Sequence, residues 1–152
     1  MTIDKPIAFS IIGALLFGAS SMVSAEELVV TAGAAKKGGS TIALDLVTEG
    51  STVAFQFNIP LPKGIEASQV DLSRCVADLP KTHSGQCNVA KGQIIGLVYN
   101  DQNVALPKGI VSVGQIGLKG NIARGGITVS NFVANDASAR ELPAKTNVSF
   151  DK

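Results

Sequence analysis

The chain has no tryptophan, one tyrosine and one histidine. Sugar-binding platforms stack pyranose rings on exposed aromatic side chains. The shortage of rings therefore disfavours recognition of a glycan by stacking and leaves only recognition through polar groups. With His83 as the only histidine, a Ser-His-Asp or Cys-His nucleophile would have to be assembled around that one residue. Ser84 is adjacent in sequence, where loop neighbours point apart, so His83 is expected as a solvated loop residue. GxSxG, HExxH and Walker sequences are all missing. These absences predict no enzyme and no cofactor.

Charge is also sparse. Charged residues make up 16% of the chain and the net charge is +1, which gives no electrostatic reason to expect nucleic acid or an anionic membrane as partner. Long apolar runs are confined to the start. Ile7 to Phe17 is almost unbroken apolar sequence, Lys5 precedes it, and Val23-Ser24-Ala25 places small residues where a signal peptidase reads them. Residues 1–25 are therefore read as a signal peptide, cleaved after Ala25. An apolar core of about a dozen residues is short of the roughly 20 that span a bilayer. The expectation is a single domain over residues 26–152, exported to the periplasm or the cell exterior, with no membrane association after cleavage.

The two cysteines, Cys75 and Cys87, suit export. An oxidising compartment lets such a pair close a short loop, contributing about 3 kcal/mol. A metal pair or a redox pair would call for a CxxC spacing or a second ligand-rich segment, and neither is present. Asn100, Asp101 and Asn103 share one turn, and Asn135 and Asp136 another. Their oxygens could hold calcium, but the same residues build ordinary β-turns, and no metal is assigned. Asn147-Val148-Ser149 matches a glycosylation sequon, meaningful only in a eukaryotic secretory pathway.

What the chain does contain is alternation. Ile42, Leu44 and Leu46 alternate with small and polar residues, and so do Val53, Phe55, Phe57 and Ile59. Period two places one face of a strand in a core. The joint Thr48-Glu49-Gly50-Ser51 is short and polar, so these two runs are expected to pair as an antiparallel hairpin. Further strands are read at Leu28–Thr31, Ile65–Leu72, Ile110–Leu118, Ile127–Val133 and Val148–Phe150. Gln93–Tyr99, apolar at nearly every position, is read as a central strand buried on both sides. Gly114 and Gly117 mark a bulge or a close backbone approach. Ser73 to Lys91 is read as a long ordered loop or irregular hairpin. LPKGI occurs at Leu61–Ile65 and at Leu106–Ile110, taken as the same proline stop and glycine turn used twice.

Short strands with regular turn signals predict an all-β fold, a single jelly-roll or immunoglobulin-like sandwich of about eight or nine strands. Its predicted core contains Val53, Phe55, Phe57, Ile95, Leu97, Val113, Ile116, Val129 and Val133.

Three stretches carry a resemblance. ALDLVTEGSTVAFQFNIPLPKGI resembles the opening hairpin of cohesin-like domains, GLVYNDQNVALPKGIVSVGQIGL resembles their paired strands around an Asn-rich turn, and ITVSNFVANDASARELP resembles their closing strand and turn. The resemblance covers most of Ile42 to Pro143. It implies a jelly-roll sandwich, related in shape to some carbohydrate-binding modules, that binds a dockerin partner on one sheet face. The function expected from all this is an exported, non-catalytic module with a protein partner. The alternative is a carbohydrate-binding module with a polysaccharide partner. The stretch from Arg74 to Asn88 is expected as a disulfide-pinned protrusion, with Arg74, Asp78, Leu79, Lys81 and His83 as candidates for partner contact.

Overall fold

The computed structural model describes residues 24–151. The expected signal peptide lies almost wholly outside the described residues. Nine strands form two sheets. β1 (Glu26–Ala34), β2 (Ser40–Thr48), β4 (Val70–Asp71), β7 (Gly109–Leu118) and β9 (Ala144–Phe150) make one sheet in the order β4-β7-β2-β1-β9. β3 (Ala54–Pro60), β5 (Ser84–Ala90), β6 (Gln93–Tyr99) and β8 (Asn131–Asn135) make the other, in the order β5-β6-β3-β8. β9 runs parallel to β1, and every other pairing is antiparallel. The expected all-β sandwich is the fold observed.

The expected pairing of the Ile42 and Phe55 strands is overturned. β2 pairs with β1 and β7, whereas β3 pairs with β6 and β8 in the opposite sheet. Alternation specifies a buried face and leaves the partner open, because two strands facing each other across a core show the same pattern as two strands side by side. The connection from Glu49 to Val53 needs to cross about 10 Å between sheets, within the roughly 17 Å that five residues can reach. Burial and hydrogen bonds hold it there. Thr52 and Val53 are buried, Val53 N–H donates to the Asn135 carbonyl at 2.9 Å, and Leu106 N–H donates to the Thr52 carbonyl at 2.8 Å. The buried Glu26 carboxylate accepts from the Thr52 hydroxyl at 2.6 Å and from Glu49 N–H at 3.1 Å.

Between the sheets, Leu28, Val30, Ile42, Leu44 and Leu46 meet Phe55, Phe57, Ile59, Ile94 and Val98. Phe55 stacks on Phe57 at 6.5 Å and meets Phe132 edge-on at 6.2 Å, arrangements that add to simple burial. Of the predicted core, Val53, Phe55, Phe57, Val113 and Ile116 are buried, and Val129 packs partly buried against them.

Ile95, Leu97 and Val133 are not core residues. Ile94, Gly96 and Val98 face inward along β6, so Ile95 and Leu97 lie on the outer surface, and Val133 lies outside the buried cluster. β6 is accordingly buried on one side only. The segment read as a strand from Ile65 to Leu72 is instead a 3₁₀ turn at Ala67–Gln69 and the two-residue β4. The stretch from Ser73 to Lys91, expected as a long ordered loop or irregular hairpin, ends in β5, which pairs with β6 along its whole length as a hairpin. Gly114 does sit at a bulge, where the β2–β7 register shifts after Leu44. A Cβ there would collide with the carbonyls of Arg74 and Cys75. Both LPKGI copies place their glycine at positive φ, +85° at Gly64 and +120° at Gly109, consistent with one turn device used twice.

Candidate functional site

None of β3, β5, β6 and β8 contains a charged residue, whereas in the other sheet β1, β2, β4 and β9 do and β7 alone does not. The outer surface of the four-stranded sheet is therefore free of charge from strand to strand. Register sets its side chains in rows. Gln86, Leu97, Gln56 and Val133 lie abreast in one, and Asn88, Ile95, Asn58 and Asn131 in the next. Tyr99, paired with Ser84, stands at the end of β6 and is 42% exposed.

The polar members form a partial network. Asn58 Nδ2 donates to Gln93 Oε1 at 3.2 Å, Ser130 Oγ donates to the same oxygen at 3.1 Å, and Gln56 Nε2 approaches Asn58 Oδ1 at 3.4 Å. Next to it is a hollow of about 230 Å³ lined by Gln56, Gln86, Cys87, Asn88, Ile95 and Leu97. Flat rows of amides and aliphatic side chains without charge can bury against a complementary surface at little desolvation cost. They supply no acid, base or nucleophile.

β5 is the edge strand of this face, and two contacts anchor it. It pairs with β6, and Cys87 is joined to the buried Cys75, with their Cα atoms 6.4 Å apart. The expected disulfide is thus present, but the expected protrusion is not. The chain from Arg74 to Leu79 lies flat on β7, where Gln115 N–H donates to the Arg74 carbonyl at 2.8 Å and Asp78 N–H donates to the Val113 carbonyl at 3.1 Å. Val76 and Leu79 press on Gly85, where a Cβ would come within 2.9 Å of Val76.

The loop candidates for partner contact differ in exposure and partners. Arg74 and Asp78 pair with each other at 3.6 Å on the surface, Leu79 is half-buried, and Lys81 is exposed. His83 contradicts its expected solvation, being 6% exposed. Its Nδ1 meets the Thr82 hydroxyl at 2.9 Å, and Nε2 has no hydrogen-bond partner. Burial pushes the His83 pKa below its ordinary 6.5, and the Val53 and Val104 backbones pull only part of the way back. A buried neutral imidazole under the start of β5 is a packing element.

In the two turns that could have held calcium, Asn100 and Asp136 each turn a side-chain oxygen onto their own turn. Asn100 Oδ1 accepts from Gln102 and Val104 N–H at 2.7 and 2.9 Å. Asp136 Oδ1 accepts from Ser138 and Arg140 N–H at 2.9 and 3.0 Å. The Arg140 N–H first, and then its other contacts, hold the Asp136 carboxyl below the usual value.

The outer face does not stand out in the sequence as a site because Ile95, Leu97 and Val133 read there as core residues. A readable signal existed in the absence of Asp, Glu, Lys and Arg from all four strands.

No family model and no curated protein matches the chain. Solved structures do. A non-cellulosomal cohesin from the archaeon Archaeoglobus fulgidus superposes with TM-score 0.58 at 14% identity, covering 84% of this chain and 90% of its own. The sixth cohesin of Acetivibrio cellulolyticus scaffoldin B, solved in complex with a mutant dockerin, gives 0.53 at 11% identity over 84% and 100%. A type II cohesin from Bacteroides cellulosolvens gives 0.55 at 9% identity over 82% and 99%. The fold is a cohesin-like β-sandwich.

Proposed function

We propose that this protein is an exported, non-catalytic interaction module that holds a protein partner on the outer surface of the β5-β6-β3-β8 sheet. The observation that carries the reading is the absence of charge from that surface, combined with half-buried Ile95, Leu97 and Val133 and the exposed Tyr99. Interface cores are depleted of charge and enriched in apolar and aromatic groups. The cohesin fold adds support, since one solved relative in shape is bound to a dockerin. Export is supported by the leader-like residues 1–25, by β1 opening on Glu26, the residue after the expected cleavage point, and by the disulfide.

A second reading has its own observation. The amides of Gln56, Asn58 and Gln93, together with Ser130, could hydrogen-bond a neutral polyol, with Tyr99 as the one ring available. Pull-down from the producing organism's envelope and secreted fractions, run beside a polysaccharide-retention gel, separates the two. A protein retained by the wild type and lost on Leu97→Lys supports the first. Retention by a glycan with no protein retained supports the second.

A further inference from the structure

A cavity of about 300 Å³ opens at the end of the sandwich where β1 finishes and β2 begins. It shares no lining residue with the uncharged face. Its apolar wall comes from Ala32, Ile122 and Phe150, and the last two pack partly buried against the main core. Its polar wall comes from Asn121, Arg124 and Asp151.

The two charges of this wall are opposite in sign and held on different segments. Asp151 follows β9, where its N–H donates to the Ala32 carbonyl at 2.8 Å. Its side chain lies across Gly33, where a Cβ would stand 3.3 Å from the Asp151 Cβ. Arg124 sits in a turn closed by Gly126 N–H on the Ala123 carbonyl at 2.8 Å. The loop leading to that turn is tied to β2 by the Ser40 hydroxyl, which donates to the Gly120 carbonyl at 2.9 Å. Among the described residues, Arg124 and Asp151 are not within ion-pair distance of each other, so both line the cavity without neutralising one another.

Charge and shape together narrow the ligand. A simple anion would face Asp151, a simple cation would face Arg124, and a neutral apolar molecule would use neither. A molecule carrying both charges beside an apolar group uses all three walls. The volume lies at the lower end of the range for small-molecule sites, which suits one amino acid better than a peptide. We propose that this cavity binds a free α-amino acid with an apolar side chain. Its carboxylate meets the Arg124 fork, which suits planar bidentate pairing. Its ammonium meets Asp151, and its side chain rests on Phe150 and Ile122. Arg124 and Asp151 are exposed, so solvent screening keeps the affinity low.

The test is an amide-resolved NMR titration of the exported protein with L-leucine, beside N-acetyl-L-leucine, which lacks the ammonium, and L-leucinamide, which lacks the carboxylate. The expected result is saturable shifts at Ala34, Ile122, Phe150 and Asp151 with leucine. Each blocked probe should bind about two- to fivefold more weakly, the scale of one exposed ion pair. Arg124→Gln should weaken leucine without affecting leucinamide, and Asp151→Asn should weaken leucine without affecting N-acetylleucine. Equal affinity for all three probes, or no saturable shift with leucine, overturns the proposal. Neither result bears on the uncharged face.

Discussion

The ring of Phe57 lies directly over Gly96, so that any side chain at residue 96 would occupy the space of the ring. Phe57 is fully buried, and the two residues are paired across β3 and β6. Phe57→Ala should cost about 3 to 5 kcal/mol through lost burial and an incompletely filled cavity. Gly96→Val should be worse tolerated than Gly33→Val, where only the Asp151 side chain is near. Urea unfolding of the three variants measures both, and a loss below about 0.5 kcal/mol for Phe57→Ala would mean the ring is not in the core.

The same pair explains where sequence reading failed. With glycine at its centre, the inward set Ile94, Gly96 and Val98 looks less hydrophobic than the outward set Ile95, Leu97 and Tyr99. Apolar residues on both sides make β6 read as a strand buried on both faces, with Ile95 and Leu97 in the core, whereas only the Ile94, Gly96 and Val98 side is buried and its missing volume at Gly96 is supplied by Phe57 from the next strand. Strand existence and the sandwich class were legible, since Ile42 to Leu46 and Phe55 to Ile59 alternate without interruption. Which sheet each strand joins was not legible, since that choice is made by Thr52 and Val53 crossing the end of the core. Ile95 and Leu97 on the candidate face go unseen for this reason, and Val133 because its strand runs from Asn131 to Asn135 with Ala134 as its buried residue. The disulfide is legible from the even cysteine count and spacing, but the flat lie of its loop depends on Gly114 in a distant strand admitting the Arg74 and Cys75 carbonyls.

The disulfide joins the edge strand β5 to the segment lying on β7. Replacing Cys75 and Cys87 together by alanine should lower stability by about 3 kcal/mol. Amide exchange should speed up along Ser84–Ala90 more than along Phe55–Ile59, because β5 has only one strand neighbour. Uniform acceleration across both strands would show that the bond acts on the whole domain and not on its edge.

His83 gives the fold a specific response to acid. Its pKa is lowered in the folded state by burial, so the unfolded chain takes up its proton first as pH falls. The stability it contributes is complete above its ordinary 6.5 and is lost as pH drops through the lower folded value. Asp71 and Asp136 are both lowered from 3.8, the first chiefly by the Ser73 hydroxyl and the second chiefly by Arg140 N–H. Their contributions are present above 3.8 and fade only below it, so the two windows separate. Thermal unfolding followed from pH 7.5 to 4.5 should show a decline that His83→Phe removes. An identical decline in that variant would assign the acid response to other groups.

Lys81 stands exposed on the connection into β5 and bears no structural burden. Lys81→Ala should leave the unfolding midpoint within the roughly 0.5 kcal/mol typical of surface changes. A partner seated on the outer sheet surface should keep its affinity in this variant. Weakened binding at unchanged stability would move the contact to the loop that carries Arg74, Asp78 and Leu79.

The proposed role of the uncharged surface of β5, β6, β3 and β8 is to take up a protein partner. It is tested most directly by pull-down from the organism's envelope and secreted fractions at low salt and at about 0.5 M salt, where exposed charge pairs are screened, with wild type beside Leu97→Lys. The account predicts one protein retained by the wild type at both salt concentrations and absent with Leu97→Lys, whose circular dichroism spectrum should match the wild type. Equal retention by Leu97→Lys, or retention that vanishes in the higher salt, would contradict it.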